Sequence, residues 1–373
     1  MKKAPLPKLI IASSEHDADL LYATGFFVPD PCIFLEQGGK RTLVLSDLEV
    51  DRGRKQAQVD EVVASSDLAK RLKKGKDSTF IEQVVGFLKE RKIRSVSVPG
   101  SFPLGLAVDL EKAGVRLVAQ KGLFFPEREH KTAAELKLMR QALVITEAGM
   151  ARGVEVLRAA SIGPKNALRW NDRPLTSEIL RAEIDSAILR AGGTPANTIV
   201  AGGEQACDPH ERGHGPLRGN ELIILDIFPR AARSGYFGDL TRTVVRGKVS
   251  DAQHRLWAVC LEGQKRAFKE IKPGNDGKKV QDGVRQYFTE SGYPTEQRDG
   301  RWMGFFHGLG HGLGLEIHES PRVGTTTFTP GQVVTVEPGI YVPGLGGVRH
   351  EDVVTITETG HRLLSKFPKE LEL

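Results

Sequence analysis

The chain has 373 residues, 39% hydrophobic, 27% charged and 6% aromatic, a composition that allows two packed domains and argues against a disordered or fibrous chain. Its 53 basic and 47 acidic residues leave a net charge of +6 spread along the sequence; the densest basic run, Lys70, Arg71, Lys73, Lys74 and Lys76, lacks interleaved aromatics and reads as a solvated face, so nucleic acid is not an expected partner. Cys32, Cys207 and Cys260 are odd in number and far apart, against a disulfide framework or a thiolate zinc site, and no apolar run reaches the length of a signal-peptide core or a bilayer span, so a cytoplasmic protein without a membrane partner is expected.

From the amino terminus, short apolar β-type runs, such as Cys32–Gln37 and 41–46, alternate with helical stretches, the pattern of an α/β domain. Thr79 and Glu82 have capping-box spacing and open an amphipathic helix that ends before a β-type run at 94–98; a helical stretch at 104–113 then precedes another run at 115–119. No chemical constellation falls in this part. The pattern breaks around 124–131, which gives a smaller domain of residues 1–125 and a larger one of 126–373.

In the larger domain Thr132 and Glu135 supply another capping box, for a long helix whose Leu136, Met139, Leu143, Met150, Val154 and Leu157 form one apolar stripe. A second helix, 176–191, ends at Gly192 and Gly193. A third starts at Ser250, with Gln253 at capping-box spacing, and stops at Pro273 and Gly274. The β-type segments between and after these helices carry the chemistry.

Four carboxylates stand where the surrounding sequence has the character of a buried strand: Asp226 in LIILDIF, Asp239 before LTRTVV, Glu337 after VVTV and Glu351 before DVVTIT. A buried ionised carboxylate requires pairing, hydrogen bonds or coordination, or its pKa rises until it is neutral. Taken alone, each acid reads as a surface or salt-bridged residue. Strand alternation puts polar or charged companions on the same face: Thr335 with Glu337, Thr241 and Thr243 with Asp239, Arg349 with Glu351 and Val353. If the four converge with one neutral imidazole, their summed charge equals what two divalent cations neutralise. Carboxylate oxygens with one imidazole suit manganese first, then cobalt, zinc or iron.

The glycine-rich segment HGLGHGLGLEIHESP holds His307, His311 and His318, three of the ten histidines, and its backbone freedom suits a site loop better than a helix. His311 and His318 are an odd number of residues apart, so they share a face only if the chain bends between them. Upstream, His210 and His214 lie in an aperiodic loop before Asp226, compatible with a surface position and with one over the metals.

LIILDIF, GYFGDLTRT, HGLGHGLGLEIHESP, TVEPGIY and GVRHEDVV, in this order over roughly residues 130–373, resemble the pita-bread metallopeptidases, family M24. The first domain is similar to the smaller amino-terminal α/β domain of the Xaa-Pro dipeptidases, aminopeptidases P and creatinases. The fold class expected is therefore α+β, a pita-bread domain preceded by that smaller domain. The resemblance implies that Asp226 chelates one metal, that Asp239 and Glu351 bridge two, and that His311 and Glu337 bind the other. It also implies a metal-bridging water as nucleophile with Glu337 exchanging its proton, His210 near the scissile bond and leaving amine, and His318 near the oxyanion.

His307 and Arg349 resemble the proline-directed branch, which implies Xaa-Pro peptide substrates bound by these two residues and a homodimer; His214 is a further candidate for substrate binding, and shares with His210 the candidacy for the catalytic role. Two alternatives share the fold: a non-catalytic binding module, and a hydrolase of non-peptide amides. The interval from Asp226 to Asp239 is two residues longer than the family's usual one, so the hairpin tip is expected to absorb an insertion. His350 stands where a branched aliphatic is usual, and alternation points it away from the metals.

Overall fold

The computed structural model of the protein describes residues 5–72 and 79–373; Lys73, Lys74 and Lys76 of the basic run lie outside them. The chain divides into two compact units, Met1–Arg128 and Glu129–Leu373. In the first, alternate residues of the strand Lys8–Ala12 enter two cores, Leu9 and Ile11 joining Val84, Phe87 and Val96, and Ile10 joining Phe26, Phe34 and Phe125. Burial on both faces is why these strands read as continuous apolar runs. The six strands lie in the order Glu61–Ala64, Lys40–Leu45, Cys32–Gln37, Lys8–Ala12, Ser95–Pro99, Arg116–Gln120. The central pairs are antiparallel and the flanking pairs parallel. Helix Phe80–Glu90 starts with both halves of the Thr79–Glu82 capping box made.

In the second unit the boxes at Thr132 and Ser250 are likewise closed, opening the helices Ala133–Ala159 and Asp251–Glu270, and Thr176 caps Ser177–Arg190. The helix Gly277–Glu290 has no counterpart in the sequence reading. Asp276 caps it, and Val280, Val284 and Phe288 are its buried side chains, a one-residue-wide stripe that polar neighbours, a glycine start and the internal Gly283 conceal. It packs with Asp251–Glu270 against Val334, Val336, Ile340, Val348 and Val354. Apolar residues on that face leave the alternating positions, Thr335 among them, to face the other way.

Two antiparallel sheets supply that other side. One comprises Ile199–Gly202, Ile223–Ile227 and Leu240–Val244, with Asp226 directly opposite Thr241. The other has the order Glu319–Arg322, His311–Gly312, Val333–Val336, Asp352–Ile356, His361–Leu363. A hairpin, Gly339–Val342 with Gly346–Arg349, lies beside them. The chain is not one continuous strand through Glu351: it changes pairing partner between Arg349 and Asp352, so Arg349 and Glu351 share a cavity through that change rather than through simple alternation. The link from Asp226 to Asp239 is also more than a hairpin, since Arg230–Ala231 pairs with Gly193–Thr194 and only residues 232–235 form its tip.

Candidate metal centre

A cavity of about 910 Å³ is lined by Asp226, Asp239, His311, Glu337 and Glu351, together with His210, His307, His318 and Arg349. His214 is not among its lining residues; its backbone N–H and carbonyl are tied to the Gln205 side chain. Ligand atoms of Asp239, His311 and Glu351 all lie within 4.8 Å of one another. His311 Nε2 stands 3.3 Å from Glu337 Oε1 and 3.7 Å from Asp239 Oδ2. Asp226 accepts from Arg349 Nη2 at 2.6 Å through Oδ2, while its buried Oδ1 has no partner.

The electrostatics of this cluster are those of acids short of positive charge. Burial, and then the neighbouring carboxylates Glu351, Asp226 and Glu337, push the Asp239 carboxyl well above its ordinary value. Glu351 is raised for the same reasons, and burial lifts Glu337 to about 7. His311 is pushed down to about 4, chiefly by burial, so the imidazole is neutral near pH 7. Four carboxylates, one of them with an orphaned buried oxygen, and a neutral imidazole form a donor set suited to hard or borderline divalent cations.

Local packing fixes these donors. The Thr241 hydroxyl donates to Glu351 Oε2 at 2.7 Å and the Glu351 N–H to the Thr241 carbonyl at 3.1 Å. Thr335 Oγ1 accepts from the His311 N–H and donates to Glu337 Oε1. The preceding Gly310 lies so close to the Thr335 carbonyl that a Cβ there would collide with it, one place where glycine is required.

The segment between the two histidines does bend. His311 and Gly312 pair back onto Arg322 and Glu319, and the rings of His311 and His318 meet edge-to-face at 4.4 Å. A buried ion pair secures the bend: Lys131 Nζ, just before the long helix, reaches Glu319 Oε1 at 2.6 Å, with the two side chains 2% and 3% exposed. Burial lowers the pKa of His318 and brings that of His307 to about 3, with Arg349 as the next cause at His307.

Sequence reasoning assigned no role to Tyr341, which joins His307 to Arg349. Its hydroxyl is 2.9 Å from both His307 Nε2 and Arg349 Nη1, so a chain of contacts runs from His307 through Tyr341 and Arg349 to Asp226. The motif TVEPGIY contained it, but a tyrosine in a β-type run reads as packing until its hydroxyl's partners are seen. Arg322, Phe228 and Phe306 also line the cavity without a signal in spacing. His350 points away from the cavity: its ring packs on Trp257 at 4.9 Å, and its two buried nitrogens lack hydrogen-bond partners.

A helix-backed unit whose inner strands bring acids and an imidazole to one cleft has the pita-bread fold, as in the prolidase and aminopeptidase P structures to which the chain is similar. The profile of metallopeptidase family M24 matches residues 137–358, and the chain belongs to that family. It is 40% identical over 186 residues to an Xaa-Pro dipeptidase of Pyrococcus furiosus, a match covering 47% of this chain and 49% of that one, so the alignment spans about half of that relative. A Pyrococcus horikoshii Xaa-Pro dipeptidase is 30% identical over 295 residues, 75% of each chain. Among solved structures, an X-Pro aminopeptidase from Thermotoga maritima superposes with a TM-score of 0.83 at 26% identity, covering 99% of this chain and 98% of that one.

Proposed function

We propose that the cavity is the active site of a dinuclear metallopeptidase hydrolysing amino-terminal Xaa-Pro peptide bonds. The observation that carries this reading is the convergence of Asp226, Asp239, His311, Glu337 and Glu351 on one cavity with His210, His307, His318 and Arg349 around them. The five residues would hold the metals, Asp226 on one, His311 and Glu337 on the other, Asp239 and Glu351 shared. Manganese is the metal proposed, with cobalt, zinc and iron as alternatives, in a cytoplasmic homodimer. When bound, the metals supply a water that loses its proton near neutral pH and positive charge that polarises a carbonyl.

The chain's own groups do the rest. Glu337, whose side chain is 18% exposed against 11% for Asp226 and 6% for Asp239, faces the cavity most openly and accepts and returns a proton. His318, beside His311, donates toward the oxygen that becomes negative, and His210 serves the leaving amine. His307 and Arg349, fixed to each other by Tyr341, bind the proline side of the substrate. Protein stripped by chelator, with elemental analysis showing no divalent ion, should not hydrolyse Xaa-Pro dipeptides or longer Xaa-Pro peptides. Manganese, cobalt or zinc should restore cleavage, with mass spectrometry finding the cut before proline. Full-rate turnover by the stripped protein, or no cleavage with any of these metals, sinks the reading.

A further inference from the structure

Behind the cavity lies a second polar cluster that the peptidase reading does not use. Arg242, three residues after Asp239, is 2% exposed, yet its guanidinium donates five hydrogen bonds. Nε donates to the Pro368 carbonyl at 2.9 Å; Nη1 donates to the carbonyls of Thr241 at 2.9 Å and Glu351 at 2.6 Å; Nη2 donates to Asp352 Oδ1 at 2.9 Å and the Phe367 carbonyl at 2.6 Å. A guanidinium has five N–H groups, so all are spoken for. Asp352 in turn accepts from Ser365 at 2.8 Å, Lys369 at 2.5 Å and Gln264 at 3.3 Å.

Glu351 is thereby gripped at three points by two adjacent residues. Its N–H meets the Thr241 carbonyl, its carboxylate meets the Thr241 hydroxyl, and its carbonyl meets Arg242. Two of the five acceptors that orient Arg242 are backbone carbonyls of the carboxyl-terminal segment, at Phe367 and Pro368, and that segment's Ser365 and Lys369 hold the Asp352 carboxylate. We infer that Arg242, Asp352 and the segment Ser365 to Lys369 form a socket that positions Glu351, so that a stretch of chain remote from the cavity sets the affinity of the centre for metal. The inference rests on the metal-centre reading. Partners of this kind, once removed, commonly weaken metal binding 10- to 100-fold.

A lysine cannot replace this arginine. An ammonium offers three donors from a single point, so Arg242→Lys keeps the charge but cannot reproduce the five hydrogen bonds of the planar fork. Mn²⁺ is titrated into chelator-stripped protein and the heat followed by calorimetry, with the melting temperature of each protein measured in parallel. Arg242→Lys should bind Mn²⁺ about 10- to 100-fold more weakly than the parent, and Lys369→Met, which leaves Arg242 in place, about tenfold more weakly. Val284→Ala, a cavity in the core that the metal does not touch, should lower the melting temperature and leave Mn²⁺ affinity unchanged. Should Arg242→Lys fail to fold, Lys369→Met against Val284→Ala decides the matter. The inference is overturned if each socket variant that folds binds Mn²⁺ within about twofold of the parent, or if Val284→Ala loses as much affinity as they do. A parent protein that takes up no Mn²⁺, Co²⁺ or Zn²⁺ would instead overturn the metal centre, and this inference with it.

Discussion

The ion pair between Lys131 and Glu319 makes the sharpest stability prediction. Both side chains are almost wholly buried, at 2% and 3% exposure, with 2.6 Å between Nζ and Oε1. Lys131→Met keeps the volume of the side chain and removes its charge, breaking the buried pair while the Glu319 carboxylate stays in place; such a break costs about 3–5 kcal/mol. Replacing both partners, Lys131→Met with Glu319→Met, removes that carboxylate too, and the remaining loss is the order of one hydrogen bond, about 1 kcal/mol, since Glu319 Oε2 also accepts the Glu316 N–H at 3.2 Å. The assay is urea unfolding followed by tryptophan fluorescence. All three tryptophans, Trp170, Trp257 and Trp302, lie in the Glu129–Leu373 unit, so the signal reports that unit. The double variant should be more stable than the single one by about 2–4 kcal/mol. Both should have lower kcat on an Xaa-Pro dipeptide, because the bend that carries His318 is no longer tied to the long helix, and misplacement by an ångström can cost about 10²-fold. A single variant within about 1 kcal/mol of the parent, or a double variant no more stable than the single, would refute the argument.

His210→Ala should lower kcat/KM on Xaa-Pro peptides by about 10²- to 10⁴-fold, whereas His214→Ala, outside the cavity lining, should leave it within about threefold; the reverse ranking in steady-state kinetics reverses the assignment. Glu351→Gln replaces one of the three donors clustered within 4.8 Å by a neutral amide, and elemental analysis should find its metal content well below that of the parent. Tyr341→Phe deletes the hydroxyl between His307 and Arg349 and should raise KM more than it lowers kcat, since it loosens groups assigned to substrate binding. Mn²⁺ affinity should fall at least about tenfold per pH unit below about 7, because burial holds a proton on Glu337 up to that pH, Asp239 and Glu351 are raised as well, and protons must leave for the carboxylates to bind metal. His311, already neutral down to about pH 4, adds nothing to that slope above pH 5. Calorimetry in two buffers of different ionisation heat counts the proton released, and a pH-independent affinity between 5 and 7 would contradict it.

Much of the fold was legible because local rules and tertiary packing agree. Thr79, Thr132 and Ser250 read as helix starts and are, because the capping box is local chemistry. The acids stood out because charge inside an apolar run conflicts with its surroundings. What stayed hidden depends on distant partners. Tyr341 and Arg242 look like strand filler until their hydrogen bonds to residues up to 126 positions away are seen. Helix Gly277–Glu290 escaped because its buried stripe is one residue wide, three side chains in all, among polar neighbours. The partner change between Arg349 and Asp352 escaped because alternation assumes a strand that continues.

The five proposed ligands, at positions 226, 239, 311, 337 and 351, come from five separate stretches of chain, no two of them close neighbours in sequence. An extended chain therefore cannot offer these five donors together, and the site exists only once the strands have paired. Metal binding then favours the native state, by up to about 4 kcal/mol when the free ion exceeds its dissociation constant a thousandfold, less whatever closely spaced histidines such as His307 and His311 bind in the unfolded chain. Metal choice follows folding, and the ion that fills the centre is decided by what the surroundings supply to a cage already built.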